Sequence, residues 1–401
     1  MHPEGKKMKK HIHIIFMLIL LIFTSCGNEE TRKGKVIIMG DYSPSVSKVY
    51  LNKVHANNVK LLDSADISGG QAFIFSVNSQ DEALFRLEQK DLYPLLIVGK
   101  NGDTIKIQQT DDPAWPYLVE GNNECMMLAA YLERLKRDEH KVDSLSVIFM
   151  NSQSHPDFLA IRDHLNQEFI NIHEEHKQWA RNFVTRYPSS FASLVMINSF
   201  FREFLLFDQT EDFSYYELVA NAVMDRMPEN RYAIDLNEQV GRIREAIAFE
   251  AEAEMRLSPG RKVPEFQLKT IDGAKVGPQN LIEKNVLIYF WAATDAKSRQ
   301  TNPLIKKIYE AFYDKGLEVL AISFDQSGEA WQNAIRLDSL PGIHICDASG
   351  ARSPVQNLFN IKMQLPMYFL MDTEGRIFKH SRDFNDLPQS VYELVGEWSQ
   401  N

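Results

Sequence analysis

Three changes of residue pattern along 401 residues predict a multidomain chain: an N-terminal antiparallel β domain, a helical middle region and a C-terminal α/β domain with a parallel core. Apolar residues alternate with period two from Lys35 to about Val119, recur at helical spacing between Gly121 and Arg256, and then fall into alternating strand and helix blocks. The length agrees, because one ordinary core does not grow to this size. A hydrophobic fraction of 44% with 24% charged residues is that of a globular protein and argues against disorder.

The N-terminus reads as an address. Lys6, Lys7, Lys9 and Lys10 precede the apolar run Ile14 to Phe23, which is too short to span a bilayer but suits a secretory signal peptide. Thr24 and Ser25 before Cys26 resemble a lipoprotein box, with Phe23 where Leu is usual. On this reading residues 1–25 are removed and Cys26 is lipidated, anchoring the protein to a membrane; the alternative is an ordinary signal peptide with an accidental cysteine. Glu29 and Glu30 resemble the acidic tag that carries some lipoproteins to the cell surface. The expected location is the cell envelope, as an outer-membrane lipoprotein on the periplasmic face or the surface. Loss of four Lys and one Glu with residues 1–25 takes the net charge from −10 to −13, and an acidic chain without a clustered basic face is not built for nucleic acid.

Residues 26–120 form the predicted β-rich domain. "KVYLN", "QAFIFSV", "ALFRLEQ" and "LLIVGKNGDTIKIQ" alternate, and "KNGD" (Lys100 to Asp103) predicts a hairpin turn. Residues 121–257 form the helical connector. Phe158, Ile161, Leu165, Phe169, Ile172, Trp179 and Phe183 lie on one stripe of a helix from Pro156 to Tyr187. Pro188 ends it, and Ser189 or Ser190 caps a next helix through "FASLVMINSFFREFLLF". "NEQVGRIREAIAFEAEAEMR" predicts another. Residues 258–401 read as strand "NVLIYFWA", helix "NPLIKKIYEAFYDKG", strand "LEVLAISFD", helix "GEAWQNAIR", short strand "IHIC", helix "SPVQNLFN", an antiparallel pair "MYFLMD" and "RIFKH" turned by "TEGR", and a last helix "LPQSVYELVGEWS".

"PGRKVPEFQLKTIDG", "VLIYFWA" and "FNIKMQLPMYFLMDTEGRI" resemble the thioredoxin-like superfamily, in particular its envelope redoxin and ResA-like (AhpC/TSA-type) branch, over roughly residues 258–398. The whole arrangement is similar to envelope lipoproteins whose N-terminal part is a domain of unknown function (DUF4369-like). The resemblance implies a thioredoxin-like fold with Pro366 as its cis-proline. It also implies a binding groove built from Trp291, Thr294, Asp295, Leu365 and Pro366, a surface that receives an extended peptide or a protein partner. Family members carry Trp-Cys-x-x-Cys-Arg where this chain has Thr294 to Arg299. Asp295 therefore stands for the attacking cysteine and Ser298 for the resolving one. Asp295 can cap the helix but cannot form a disulfide, Ser298 has no evident partner base, and Arg299 and Pro303 match the family pattern.

The remaining candidates are weaker. Cys346 is the one thiol in the last domain, and with Cys125 it is expected to be buried. "HEEH" (His173 to His176) misses the zinc-protease spacing of four; His176 and His164 are read as core histidines, and no metal site or cofactor is expected. "DDPAWPY" (Asp111 to Tyr117) and "FSYYE" (Phe213 to Glu217) offer exposed-looking aromatics that could line a glycan or peptide groove, or pin loops. The favoured function is a redox-degenerate, non-catalytic binding or scaffolding module. The alternative is a thiol-disulfide oxidoreductase or peroxidase-like protein acting through Cys346 or a partner's thiols.

Overall fold

The computed structural model describes residues 34–396 apart from 43–45, 56–57, 68–71 and 91. Residues 1–25, expected from the sequence to be a signal peptide, and Cys26 lie outside the described residues. The chain divides into two compact units, 1–243 and 244–401.

The first unit opens with two four-stranded sheets. One has the order β4 (Phe73–Val77), β1 (Val36–Asp41), β7 (Thr104–Gln109), β8 (Tyr117–Glu120); the other has the order β3 (Asn58–Asp66), β2 (Lys48–His55), β5 (Ala83–Gln89), β6 (Leu95–Gly99). Neighbours pair antiparallel except β1 with β7, which run parallel. Gly40 is required there: a Cβ would lie 2.1 Å from the carbonyl oxygen of Ile107. "KNGD" is a turn, closed by Asp103 N–H on the Lys100 carbonyl at 3.0 Å and with Gly102 at φ +98°. It is not the predicted hairpin, because β6 and β7 belong to different sheets. β6 finds its partner in β5, so the turn carries the chain from one sheet to the other.

Helices follow: α1 (Asn123–Ser152), α2 (Phe158–Arg186), α3 (Phe191–Met196), α4 (Phe213–Arg226) and α5 (Arg231–Arg256), the last continuing into the second unit. The Asn122 side chain caps α1 by accepting from Cys125 N–H at 2.7 Å, and Ser190 caps α3 through Ser193 N–H at 3.0 Å. The helix expected through "FASLVMINSFFREFLLF" stops after six residues. It gives way to a small hairpin, β9 (Phe200–Phe201) with β10 (Phe204–Leu205), turned at Arg202, whose φ is +58°. Three phenylalanines in four strand positions favour the extended state, and the Leu206 N–H bond to Ser199 O closes the hairpin at 3.0 Å. His176 is buried, as expected; His164 is exposed on α2, off the apolar stripe. Trp115 and Tyr117 are buried, so the rings of the first aromatic stretch pin its loop; the second stretch is the first turn of α4, with Tyr216 buried and Phe213 and Tyr215 half-buried.

After the end of α5, the second unit runs through the short hairpin β11 (Leu268–Lys269) and β12 (Lys275–Val276) and is built on a five-stranded sheet. Its order is β15 (Ile343–Cys346), β14 (Leu317–Ser323), β13 (Asn285–Trp291), β16 (Met367–Met371), β17 (Ile377–Ser381). β13, β14 and β15 are parallel, and the closing pair is antiparallel. The helices α6 (Ala296–Phe312), α7 (Gly328–Asp338), α8 (Pro354–Leu358) and α9 (Leu387–Gly396) complete it. Every residue of β13 is buried because both faces of the central strand are covered. Val286, Ile288 and Phe290 pack with Phe359 and Phe369 on one side; Leu287, Tyr289 and Trp291 pack with Ile305, Trp331 and Leu394 on the other. The multidomain architecture is thus an N-terminal set of largely antiparallel sheets, a helical middle and a C-terminal thioredoxin-like domain.

Candidate functional site

The C-terminal end of β13 runs through Ala292–Asp295 into α6, so the head of α6 lies at the edge of the parallel core, where open α/β sheets place their ligands. Asp295 is the N-cap of α6. Its carboxylate accepts from Ser298 N–H at 2.7 Å and from the Ser298 hydroxyl at 2.7 Å. Ser298 is fully buried, and its Oγ also accepts from Ala292 N–H at 3.3 Å. The acidic partner that sequence reasoning did not find for Ser298 is therefore Asp295. The pair closes the first turn of the helix and leaves the hydroxyl without a path to substrate.

The loop is fixed from below by Asp325, at the end of β14 and only 3% exposed. Its carboxylate accepts from Ala293 N–H at 2.6 Å, Thr294 N–H at 3.3 Å, the Thr294 hydroxyl at 3.2 Å and the Ser323 hydroxyl at 2.7 Å. Further along α6, Arg299 donates to both oxygens of Asp338 at 2.6 and 2.7 Å, and Asn302 Nδ2 donates to the same carboxylate at 2.6 Å. Burial opposes the Asp338 charge, but these bonds outweigh it and hold the carboxyl below its ordinary range. The buried Tyr289 hydroxyl donates to Asn302 Oδ1 at 2.9 Å, with Ser298 O 3.1 Å away. Burial, with the negative Asp295 and Asp338, pushes that phenol well above its usual value. Pro303 stands inside α6, where the Arg299 carbonyl loses its helical donor.

The Leu365–Pro366 bond is cis. Pro366 is buried, Leu365 and Asp295 are half-buried and Thr294 is exposed. Trp291, expected in the groove, is instead wholly buried in the helix-side core, stacked near Tyr289 with ring centroids 6.3 Å apart. The alternation of a fully covered strand turns it away from any ligand. Cys346 is half-buried, not buried: it ends β15, the edge strand of the sheet, whose outer side is met, among the described residues, only by a bridge from Thr270 to Ile345. Its Sγ donates to the Asp325 carbonyl at 3.2 Å. Burial, reinforced by the charges of Asp325 and Asp347, pushes the thiol up to about 11, so it carries a proton at neutral pH. Cys125, fully buried in the first unit, is likewise pushed up to about 11 by burial. Among the described residues no group of three His, Cys, Asp or Glu is placed to hold a metal ion. Asp325 and Asp338 were not singled out from the sequence; the one signal for Asp325 was its place just beyond a core strand.

Residues 283–377 match the thioredoxin-like family. Over 128 residues the chain is 34% identical to the thioredoxin-like protein YneN of Bacillus subtilis, covering 31% of this chain and 71% of that protein. The chain belongs to the thioredoxin-like family. It is also 22% identical over 126 residues to the thiol-disulfide oxidoreductase ResA of Bacillus thuringiensis, covering 31% of this chain and 70% of that one. Among solved structures it is similar to the thioredoxin domain of a thiol-disulfide oxidoreductase from Bacteroides vulgatus, with 28% identity, a TM-score of 0.33, and coverage of 35% of this chain and 99% of that one. All the residues matched by the thioredoxin-like family fall in the second unit.

Proposed function

We propose that this is a lipid-anchored protein of the cell envelope, held at the outer membrane through Cys26, whose thioredoxin-like domain binds an extended peptide or protein segment without exchanging disulfides. The observation that carries the reading is the use of Asp295 and Ser298. On the resemblance they stand at the two cysteine places of the family pattern, and they are hydrogen-bonded to each other as a helix cap. A carboxylate at a helix N-terminus is stabilised by the same field that would stabilise a thiolate, but it cannot take part in thiol-disulfide exchange. Cys346, the one thiol of the domain, is protonated at neutral pH and bonded to the backbone, which gives no support to a single-thiol enzyme. The ligand surface on this reading is the rim of Thr294, Asp295 and Leu365 above the buried Pro366. The N-terminal sheets correspond to the domain of unknown function in the similar lipoproteins.

The test is a thiol-disulfide exchange and peroxide-consumption assay on the purified protein beside Cys346→Ser. Neither protein should turn over above the thiol buffer. Turnover that disappears in Cys346→Ser would make that thiol catalytic and end the binding-module reading. The double variant Asp295→Cys with Ser298→Cys should form an internal disulfide and gain exchange activity, because the helix head that activates a thiolate is already built.

A further inference from the structure

The segment Asn360–Gln364, leading into the Leu365–Pro366 bond, holds three non-glycine residues in the left-handed region: Asn360 at φ +49°, Lys362 at +52° and Met363 at +55°. Asparagine tolerates that region, whereas lysine and methionine enter it against crowding of Cβ by the backbone. Such a concentration persists only where the surroundings over-determine the chain. Three side chains do so here. Arg382 donates to the carbonyls of Asn360, Ile361 and Gln364 at 3.2, 3.0 and 3.2 Å. Gln356, buried, accepts from Met363 N–H at 3.0 Å. Glu250, on the part of α5 that belongs to the second unit, accepts from Asn360 Nδ2 at 2.8 Å and pairs with Lys362 Nζ. Glu250 thus grips two of the three left-handed residues, and it does so at the surface, where the ion pair is open to solvent.

We propose that Asn360–Gln364 is a strained two-state segment latched by Glu250, and that release of the latch changes how the main chain beside Pro366 is presented to a ligand. The proposal rests on the reading of that rim as a binding surface and adds its control. The arrangement seen is the latched one. When Glu250 lets go, the cost of the left-handed residues is no longer offset, and Lys362 and Met363 relax toward negative φ while Arg382 and Gln356 limit how far the segment moves.

Amide hydrogen exchange on the full chain tests this without any ligand. Glu250→Ala should speed exchange at Ile361, Met363 and Gln364 at least tenfold, while β13 amides and those around the exposed Arg376–Glu374 pair stay as in the wild type. Glu250→Gln, which keeps an acceptor for Asn360 but no charge for Lys362, should give a smaller increase. Adding Met363→Asn to Glu250→Ala should recover part of the protection, because asparagine accepts the left-handed region. Unchanged exchange in Glu250→Ala overturns the latch, and faster exchange that Met363→Asn does not slow overturns the strain as its driving force. Failure of the binding reading would appear separately, as no exchange response of the same amides in the wild type to any member of a peptide library.

Discussion

Two aspartates, Asp138 in the first unit and Asp325 in the second, are about equally buried, at 1% and 3% exposure, yet they are satisfied by opposite means. Asp138, on α1, accepts from Arg134 Nε and Lys141 Nζ, each at 2.6 Å, and meets His176 Nδ1 of α2 at 3.0 Å. Burial works against its charge, but the bonds from His176, Lys141 and Arg134 outweigh it and hold the carboxyl far below the ordinary range. Asp325 is met by two backbone N–H groups and two hydroxyls, without a cation among those donors. A charge balanced by cations and a histidine ties helix to helix and serves the fold. A charge satisfied by loop amides sets the course of that loop, here the one that feeds the head of α6.

The sharpest way to break this contrast is to remove each carboxylate in turn. Asp138→Ala strips the central acceptor from this network and should cost about 3 kcal/mol in equilibrium denaturation, the upper end for leaving buried hydrogen-bonding groups unpaired, because His176 loses its partner while Arg134 and Lys141 stay partly in water. Because the folded pKa of Asp138 is depressed, its contribution is fully present above the unfolded carboxyl value of about 3.9 and is lost as pH falls through the folded one. Between pH 5 and pH 2 the wild type should therefore lose more stability than Asp138→Ala. Equal acid losses would show that the pair carries no proton linkage.

Asp325→Ala should cost less, about 2 kcal/mol, the scale for leaving a buried N–H group unpaired. Its signature is local: amides of Ala293 and Thr294 should exchange faster while the α1 and α2 amides are untouched. A global loss matching that of Asp138→Ala would show that Asp325 is a fold residue, and the distinction between the two aspartates would collapse.

The same contrast explains what could be read in advance. The order of the second unit was legible because both faces of β13 are buried and its apolar run is continuous, and because "FWA" and the Pro366 segment carry family marks. Segment 191–207 was misread because a short apolar run rich in aromatics has no period that separates helix from strand. The hairpin expected at "KNGD" failed for a related reason: turn chemistry specifies a reversal, but which sheet receives the next strand is decided by long-range pairing. Trp291 was misplaced because a sequence shows that a residue ends a strand, not which way its ring points. Asp325, Asp338 and the Glu250 latch depend on contacts 31 to 112 positions apart, between residue types that are ordinary on any surface.

The smallest expected effect bears on the cap itself. Asp295→Ala removes the acceptor for Ser298 N–H and hydroxyl and should cost about 1 kcal/mol, as other N-cap deletions do. Asp295→Asn keeps the acceptor and drops the charge, so it should recover most of that loss, short of a few tenths of a kcal/mol owed to the helix field. If both variants were as stable as the wild type, Asp295 would contribute nothing to the fold. A half-buried carboxylate held at a helix head for no structural gain would then point to contact with a ligand. If the loss follows the cap ladder, Asp295 has a structural reason to be there, and the ligand rim is left to Thr294 and Leu365.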